Sequence, residues 1–161
     1  MEILPPNPPR CISAFAFKLI ERAVAGMPVD AAFNCFEIAC SCGSESWRLM
    51  GNYLPDSTEF VGPLIAICIR CGDERRLIDL RKDGYNAQIG DFLEEDENAC
   101  DTWKCPTCGT GDGALMISVG YQYERDSTDP PNIEDAFDTF IVTRKCNCST
   151  IPIVVATIDC S

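Results

Sequence analysis

Cysteines stand in four close pairs along this chain: Cys40 with Cys42, Cys68 with Cys71, Cys105 with Cys108, and Cys146 with Cys148. Paired sulfurs one or two residues apart can grip a single cation, and eight of them make up two four-thiolate tetrahedra. A turn of the Cys-x-x-Cys type aims both sulfurs to one side, and its backbone N–H groups can donate to them and favour the thiolate. Gly43, Gly72 and Gly109 follow directly on three of the pairs, where a tight turn calls for the positive φ that glycine adopts without strain. A zinc ion enclosed by four cysteines has no open position for water or substrate, so such sites support folding rather than hydrolysis.

The elements that must position these sulfurs form two similar series. In the first, the Cys40 pair precedes a strand-like stretch over residues 46–52, a loop with Pro55, Asp56 and Gly62, an apolar run over 64–69, the Cys68 pair, and a strand over 76–80. In the second, the Cys105 pair precedes residues 114–124. There Leu115, Ile117, Val119, Tyr121 and Tyr123 alternate with other residues, the period of a strand. A polar loop over 126–138 follows, then a strand over 139–144, the Cys146 pair and a strand over 151–158. Each series reads pair, strand, loop, strand, pair, strand. Cys40, Cys42, Cys68 and Cys71 are therefore expected to form one site, and Cys105, Cys108, Cys146 and Cys148 another, each closed by a hairpin. A crossed arrangement, with the Cys68 and Cys105 pairs sharing a metal, is the alternative.

These segments resemble the knuckles of the zinc-ribbon superfamily, and Cys105-Pro-Thr-Cys108-Gly109 is close to the Cys-Pro-x-Cys-Gly form that rubredoxins share. The resemblance spans about residues 35–160 and is to a structural class. It departs at the one-residue spacings of Cys40–Cys42 and Cys146–Cys148. Together with the layout it implies a mostly β, small α+β protein of two three-stranded zinc-ribbon-like units; a helix is expected N-terminal to them, and the two four-thiolate sets are expected to bind two zinc ions. Iron is the minor alternative, since one pair alone has the proline form; disulfides would need an oxidising compartment. The expected organisation is a lead-in and helix over 1–34, a first ribbon over 35–90, an acidic linker over 91–104 and a second ribbon over 105–161, the two ribbons able to pack as one unit. Within the lead-in, Phe15, Leu19, Ile20 and Ala23 recur at helical spacing, predicting a helix over 12–26 that ends at Gly26 and Pro28. Residues 33–39 read as a buried strand.

Composition narrows the function further. The chain has 161 residues, a formal charge of −12 and no histidine. Without histidine the commonest general base, the nucleophile–histidine triad and the histidine-containing catalytic zinc sites are missing. Two dianionic zinc tetrathiolates would make the charge more negative still. Such a surface repels phosphate backbones and anionic membranes and suits basic partners. The N-terminus lacks the pattern of a signal peptide and no apolar run reaches the ~20 residues of a membrane span, so a cytoplasmic location is expected. The leading expectation is a non-enzymatic zinc-binding protein that supports a protein–protein interaction or regulatory adaptor role. A nucleic-acid-associated zinc ribbon comes second, and a rubredoxin-like or thiol redox protein third.

Other residues carry weaker signals. Cys11, Cys35, Cys100 and Cys160 lie outside the pairs; Cys35, between Phe33 and Phe36, is expected to be buried, and Cys100 and Cys160 exposed. The run Glu94-Glu95-Asp96-Glu97 lacks the alternation and central glycine of a calcium loop and reads as a solvated linker. Gly109-Thr-Gly-Asp-Gly113 resembles a phosphate-cradling loop, but it enters a strand rather than a helix and reads as a hairpin-entry turn. Residues 70–83 hold five basic and four acidic side chains, a paired strand surface. Trp47, Tyr53, Trp103, Tyr121 and Tyr123 could stack bases, but core and cross-strand packing is the expected role.

Overall fold

In a computed structural model, which describes residues 8–13, 15–20, 33–79, 83, 100–121, 137 and 139–159, the chain forms a mostly β, small α+β fold. One short helix, α1 (Arg10–Ser13), is followed by strands β1 (Ala16–Ile20), β2 (Phe33–Ala39), β3 (Trp47–Tyr53), β4 (Phe60–Cys68), β5 (Glu74–Ile78), β6 (Asp101–Thr102), β7 (Asp112–Gly113), β8 (Leu115–Gly120), β9 (Thr139–Arg144) and β10 (Ile153–Asp159). The sheet runs β1-β2-β8-β9-β10-β4-β3-β6, with β5 also on β4 and β7 also on β3.

The helix expected over 12–26 is corrected by this structure. Among the described residues helical hydrogen bonding is limited to one turn, in which Pro9 O accepts from the N–H groups of Ile12 and Ser13. Residues 16–20 instead form β1, paired antiparallel with β2 from Ala16↔Ala39 to Ile20↔Cys35. The misleading signal has a simple cause. Phe15, Leu19 and Ala23 are spaced by four, which returns to the same face in a helix of 3.6 residues per turn and also in a strand of period two. Residues 21–26 lie outside the described residues.

Each repeat builds a three-stranded unit around a central strand: β4 pairs with β3 and β5, and β9 pairs with β8 and β10. The strand that leads into each repeat, however, pairs with the other repeat. β2 runs into Cys40 yet lies on β8, with Glu37↔Met116 and Phe36↔Ile117. β6 runs toward Cys105 yet lies on β3, with Thr102↔Met50 and Asp101↔Gly51. Counting from the sulfurs, the two registers are the same. Glu37 and Thr102 each stand three residues before a first cysteine, and Met50 and Met116 each stand eight after a second. The repeats thus exchange lead-in strands reciprocally. They also meet where β10 pairs parallel with β4 at Ala156↔Phe60, both buried.

The core follows from this interleaving. Trp47, Trp103, Phe36, Phe60, Phe137 and Phe140 are among its largest fully buried side chains. A buried indole needs a partner for its N–H, and both have one: Trp47 Nε1 donates to Ile38 O at 3.2 Å and Trp103 Nε1 to Thr58 O at 2.9 Å. The alternation in β8 correctly marks a strand, but all six of its residues are buried. It lies between β2 and β9 in the sheet, and its pattern does not translate into one wet face.

Candidate metal centres

The four knuckles are closed by their own backbones. In the two Cys-x-x-Cys turns Gly72 N–H donates to Cys68 O at 2.9 Å and Gly109 N–H to Cys105 O at 2.8 Å. The N–H of each first cysteine then returns to a carbonyl five residues on, Cys68 to Asp73 O and Cys105 to Thr110 O. The one-residue spacings close a tighter turn, from Gly43 N–H to Cys40 O and from Ser149 N–H to Cys146 O. Gly72 and Gly109 sit at φ 77° and 75°, the left-handed region in which a Cβ costs roughly 1–2 kcal/mol. The departures in spacing are accommodated by one residue fewer in the turn.

These turns bring together Cys40, Cys42, Cys68 and Cys71 in one group, and Cys105, Cys108, Cys146 and Cys148 in a second. The pairs meet within each repeat, and the crossed arrangement is not formed. In both groups the first cysteine of each pair is buried and the second exposed, so each site sits half-sunk at the end of its hairpin. All four sulfurs of a group lie within 4.8 Å of one another. Measured separations are 3.5 Å for Cys40–Cys71 and 3.6 Å for Cys42–Cys68. In the second group they are 3.6 Å for Cys105–Cys148, 3.2 Å for Cys108–Cys146 and 3.3 Å for Cys146–Cys148. A tetrahedron with metal–sulfur bonds of about 2.3 Å has edges of about 3.8 Å. Small outward adjustments of the sulfurs would meet that geometry, so the donor set fits a four-coordinate thiophilic ion.

Charge within the groups is unevenly spread. The backbone N–H of Cys71 lowers the Cys68 thiol to about 6. Cys71 also receives a backbone hydrogen bond, from Asp73, but sharing its proton with the Cys40 and Cys68 sulfurs prevails and holds it at about 12. In the second group the Thr110 hydroxyl, 3.0 Å away, and the Thr110 N–H bring Cys108 to about 6. The Cys108 N–H lowers Cys105, and the sulfurs of Cys146 and Cys105 push Cys148 up to about 12. Four adjacent thiols cannot all ionise alone; a dication relieves that repulsion.

The chain matches no family model, no curated protein and no solved structure.

The surroundings of the groups differ. Arg144, on β9 two residues before Cys146, is 1% exposed. Its Nη1 donates to Thr110 O at 2.6 Å and its Nη2 to Asp112 O at 2.7 Å, and its guanidinium lies 5.1 Å from the centre of the Trp103 ring. The Asp112 carboxylate meanwhile pairs with Arg48 of β3 at 3.1 Å. Sequence reading missed Arg144; no local pattern marks it, because its partners are backbone carbonyls 32 and 34 residues away. At the first group Arg70 reaches Cys42 O at 3.4 Å from an exposed position.

The remaining candidates fall into place. Gly109 to Gly113 forms the knuckle exit and β7, a hairpin entry as expected. Trp47, Trp103 and Tyr121 are buried and present no stacking face, and the Tyr53 hydroxyl accepts from Lys104 N–H. Trp103 and β6 belong to the segment read as an acidic linker, yet Trp103 is 0% exposed. Cys35 is buried, with the Ser118 hydroxyl 3.2 Å from its sulfur; Cys11 and Cys100 are half-buried. Arg75 pairs with Asp73 at 2.9 Å. The acidic run 94–97, Tyr123 and Cys160 lie outside the described residues. Among the described residues no helix is long and apolar enough to cross a membrane.

Proposed function

We propose that the protein is a non-enzymatic zinc-binding adaptor, in which one zinc ion in each four-cysteine group fixes a hairpin and the surface so fixed is read by a partner protein. The observation that carries this reading is the assembly of each complete sulfur set from the two ends of one hairpin. Four thiolates fill a zinc shell and leave no site for a substrate or an activated water, and the chain supplies no histidine to work beside it. Thiolate sets favour zinc over harder cations. The formal charge of −12 suits a basic protein surface as partner. The cations that could face a phosphate backbone are partly committed, Arg48 to Asp112 and Arg75 to Asp73.

Two measurements test this. Purified protein is expected to be colourless and to contain zinc, and a red iron-loaded product would favour the electron-carrier reading. A mobility-shift series with DNA and RNA at low salt is expected to show no complex. Binding that weakens steeply with added salt would overturn the adaptor reading, since that dependence is the mark of phosphate contacts.

A further inference from the structure

The two repeats share a register, so their metal groups can be compared position by position. Arg144 pairs with Leu115 on β8, and Ala66 pairs with Leu49 on β3. Leu115 and Leu49 each stand seven residues after the second cysteine of a pair, and Arg144 and Ala66 each stand two before the first cysteine of the next. Where the first repeat buries a methyl group, the second buries a guanidinium. From this we infer that Arg144 is the positioning residue of the second metal centre, and that it makes this centre the slower of the two to release its ion. The inference rests on the metal-binding reading above.

Its hydrogen bonds show how it acts. Thr110 O accepts from Arg144 and also from Cys105 N–H, the bond that closes the knuckle. Asp112 O, the other acceptor, belongs to β7, two residues further along. One planar fork therefore spans the exit of the 105–108 knuckle and fixes it to β9, the strand that delivers Cys146. Both halves of the sulfur set are referred to a single rigid side chain. The fold makes room for it at Gly113, where a Cβ would come within 2.6 Å of Arg144 Nε and 3.0 Å of Lys145 O.

Charge points the same way. A buried cation is costly unless something opposite offsets it. Among the described residues the contacts of Arg144 are carbonyls and a ring face, Nε has no partner, and the nearby Asp112 carboxylate serves Arg48. A dianionic tetrathiolate two residues away is the natural counter-charge, and each stabilises the other. Arg70 at the first group is exposed, where water screens its charge.

The test follows metal release from the loaded full chain into excess chromogenic chelator. Wild type is expected to release its two ions in two phases, and Cys42→Ser, which cripples the first group, to remove the fast one. Arg144→Met is expected to speed the slow phase by about 10–100-fold, the usual cost of losing an outer-shell partner, and to leave the fast phase unchanged. Arg144→Lys keeps the charge without the fork and should restore part of the loss; Gly113→Ala, which displaces the guanidinium, should mimic Arg144→Met. Cobalt-loaded samples check that the tetrahedral sulfur spectrum survives. Equal release rates in wild type, a slow phase belonging to the first group, or an Arg144→Met effect shared by both phases would overturn the inference. Should Arg144→Met fail to fold, the wild-type order and the Arg144→Lys rate still decide it. A wild-type chain that retains no metal would defeat the metal-binding reading instead.

Discussion

A cysteine's place within its pair decides what it contributes. The first of each pair is buried and hydrogen-bonded through its backbone into the turn, and the second lies on the solvent side of the sulfur group. Cys68→Ser and Cys71→Ser should each abolish binding at the first group. Cys68→Ser is expected to be worse by about 1–3 kcal/mol in denaturant unfolding, because it also leaves a hydroxyl in a site 1% exposed. Proton competition is set at this scale as well. Bound metal needs four thiolates. Cys68 and Cys108, at about 6, have lost their protons by neutral pH, whereas Cys71 and Cys148 keep theirs up to about 12. Loading at pH 7 must therefore expel at least one proton per site. Affinity rises with pH and falls as pH falls, by about tenfold or more per unit. Competition titrations between pH 6 and 8 are expected to show that slope, and a flat profile would contradict the assignment of these thiols.

The strands explain why the two halves depend on each other. Trp103 follows β6, donates its backbone N–H to Leu49 O at 2.8 Å, and its ring sits beneath Arg144. Trp103→Ala should cost about 3–5 kcal/mol, and the first repeat should melt with the second in one transition, as reported by probes on each half. Gly51 lies where β3 and β4 slip register, and a Cβ there would meet Pro63 O at 2.5 Å and the Phe60 ring at 2.7 Å. Gly51→Ala is therefore expected to cost about 1–3 kcal/mol, measured by the unfolding midpoint. Local elements were largely legible in the sequence: the knuckle turns from their cysteines and glycines, β9 and β2 at their full extent, and β8 from its alternation. The exchange of β2 and β6 between repeats was not, because pairings such as Glu37↔Met116 join segments whose local patterns are silent about each other. β1 failed for the reason given by its spacing of four, and Arg144 because a buried cation held by carbonyls leaves no motif.

At the scale of the molecule, one sheet carries a half-sunk sulfur group on each of its two repeats. The duplicated order of pairs and strands was readable from residue spacing alone, and so was the grouping of sulfurs within each repeat, since hairpin closure is the shortest route between them. What the spacing could not convey is that each repeat borrows a strand from the other, which places both sulfur groups on one sheet. Structural zinc sites in small modules contribute on the order of 10 kcal/mol to folding, comparable to the whole stability of a typical domain. Filled with zinc, the four-cysteine groups are expected to hold the sheet together. The most direct test is elemental analysis of the purified full chain, followed by circular dichroism as a strong chelator is added. Two zinc ions per chain are expected, with the sheet signal lost once both have been withdrawn; a metal-free protein, or one whose sheet persists after both ions are gone, would contradict this.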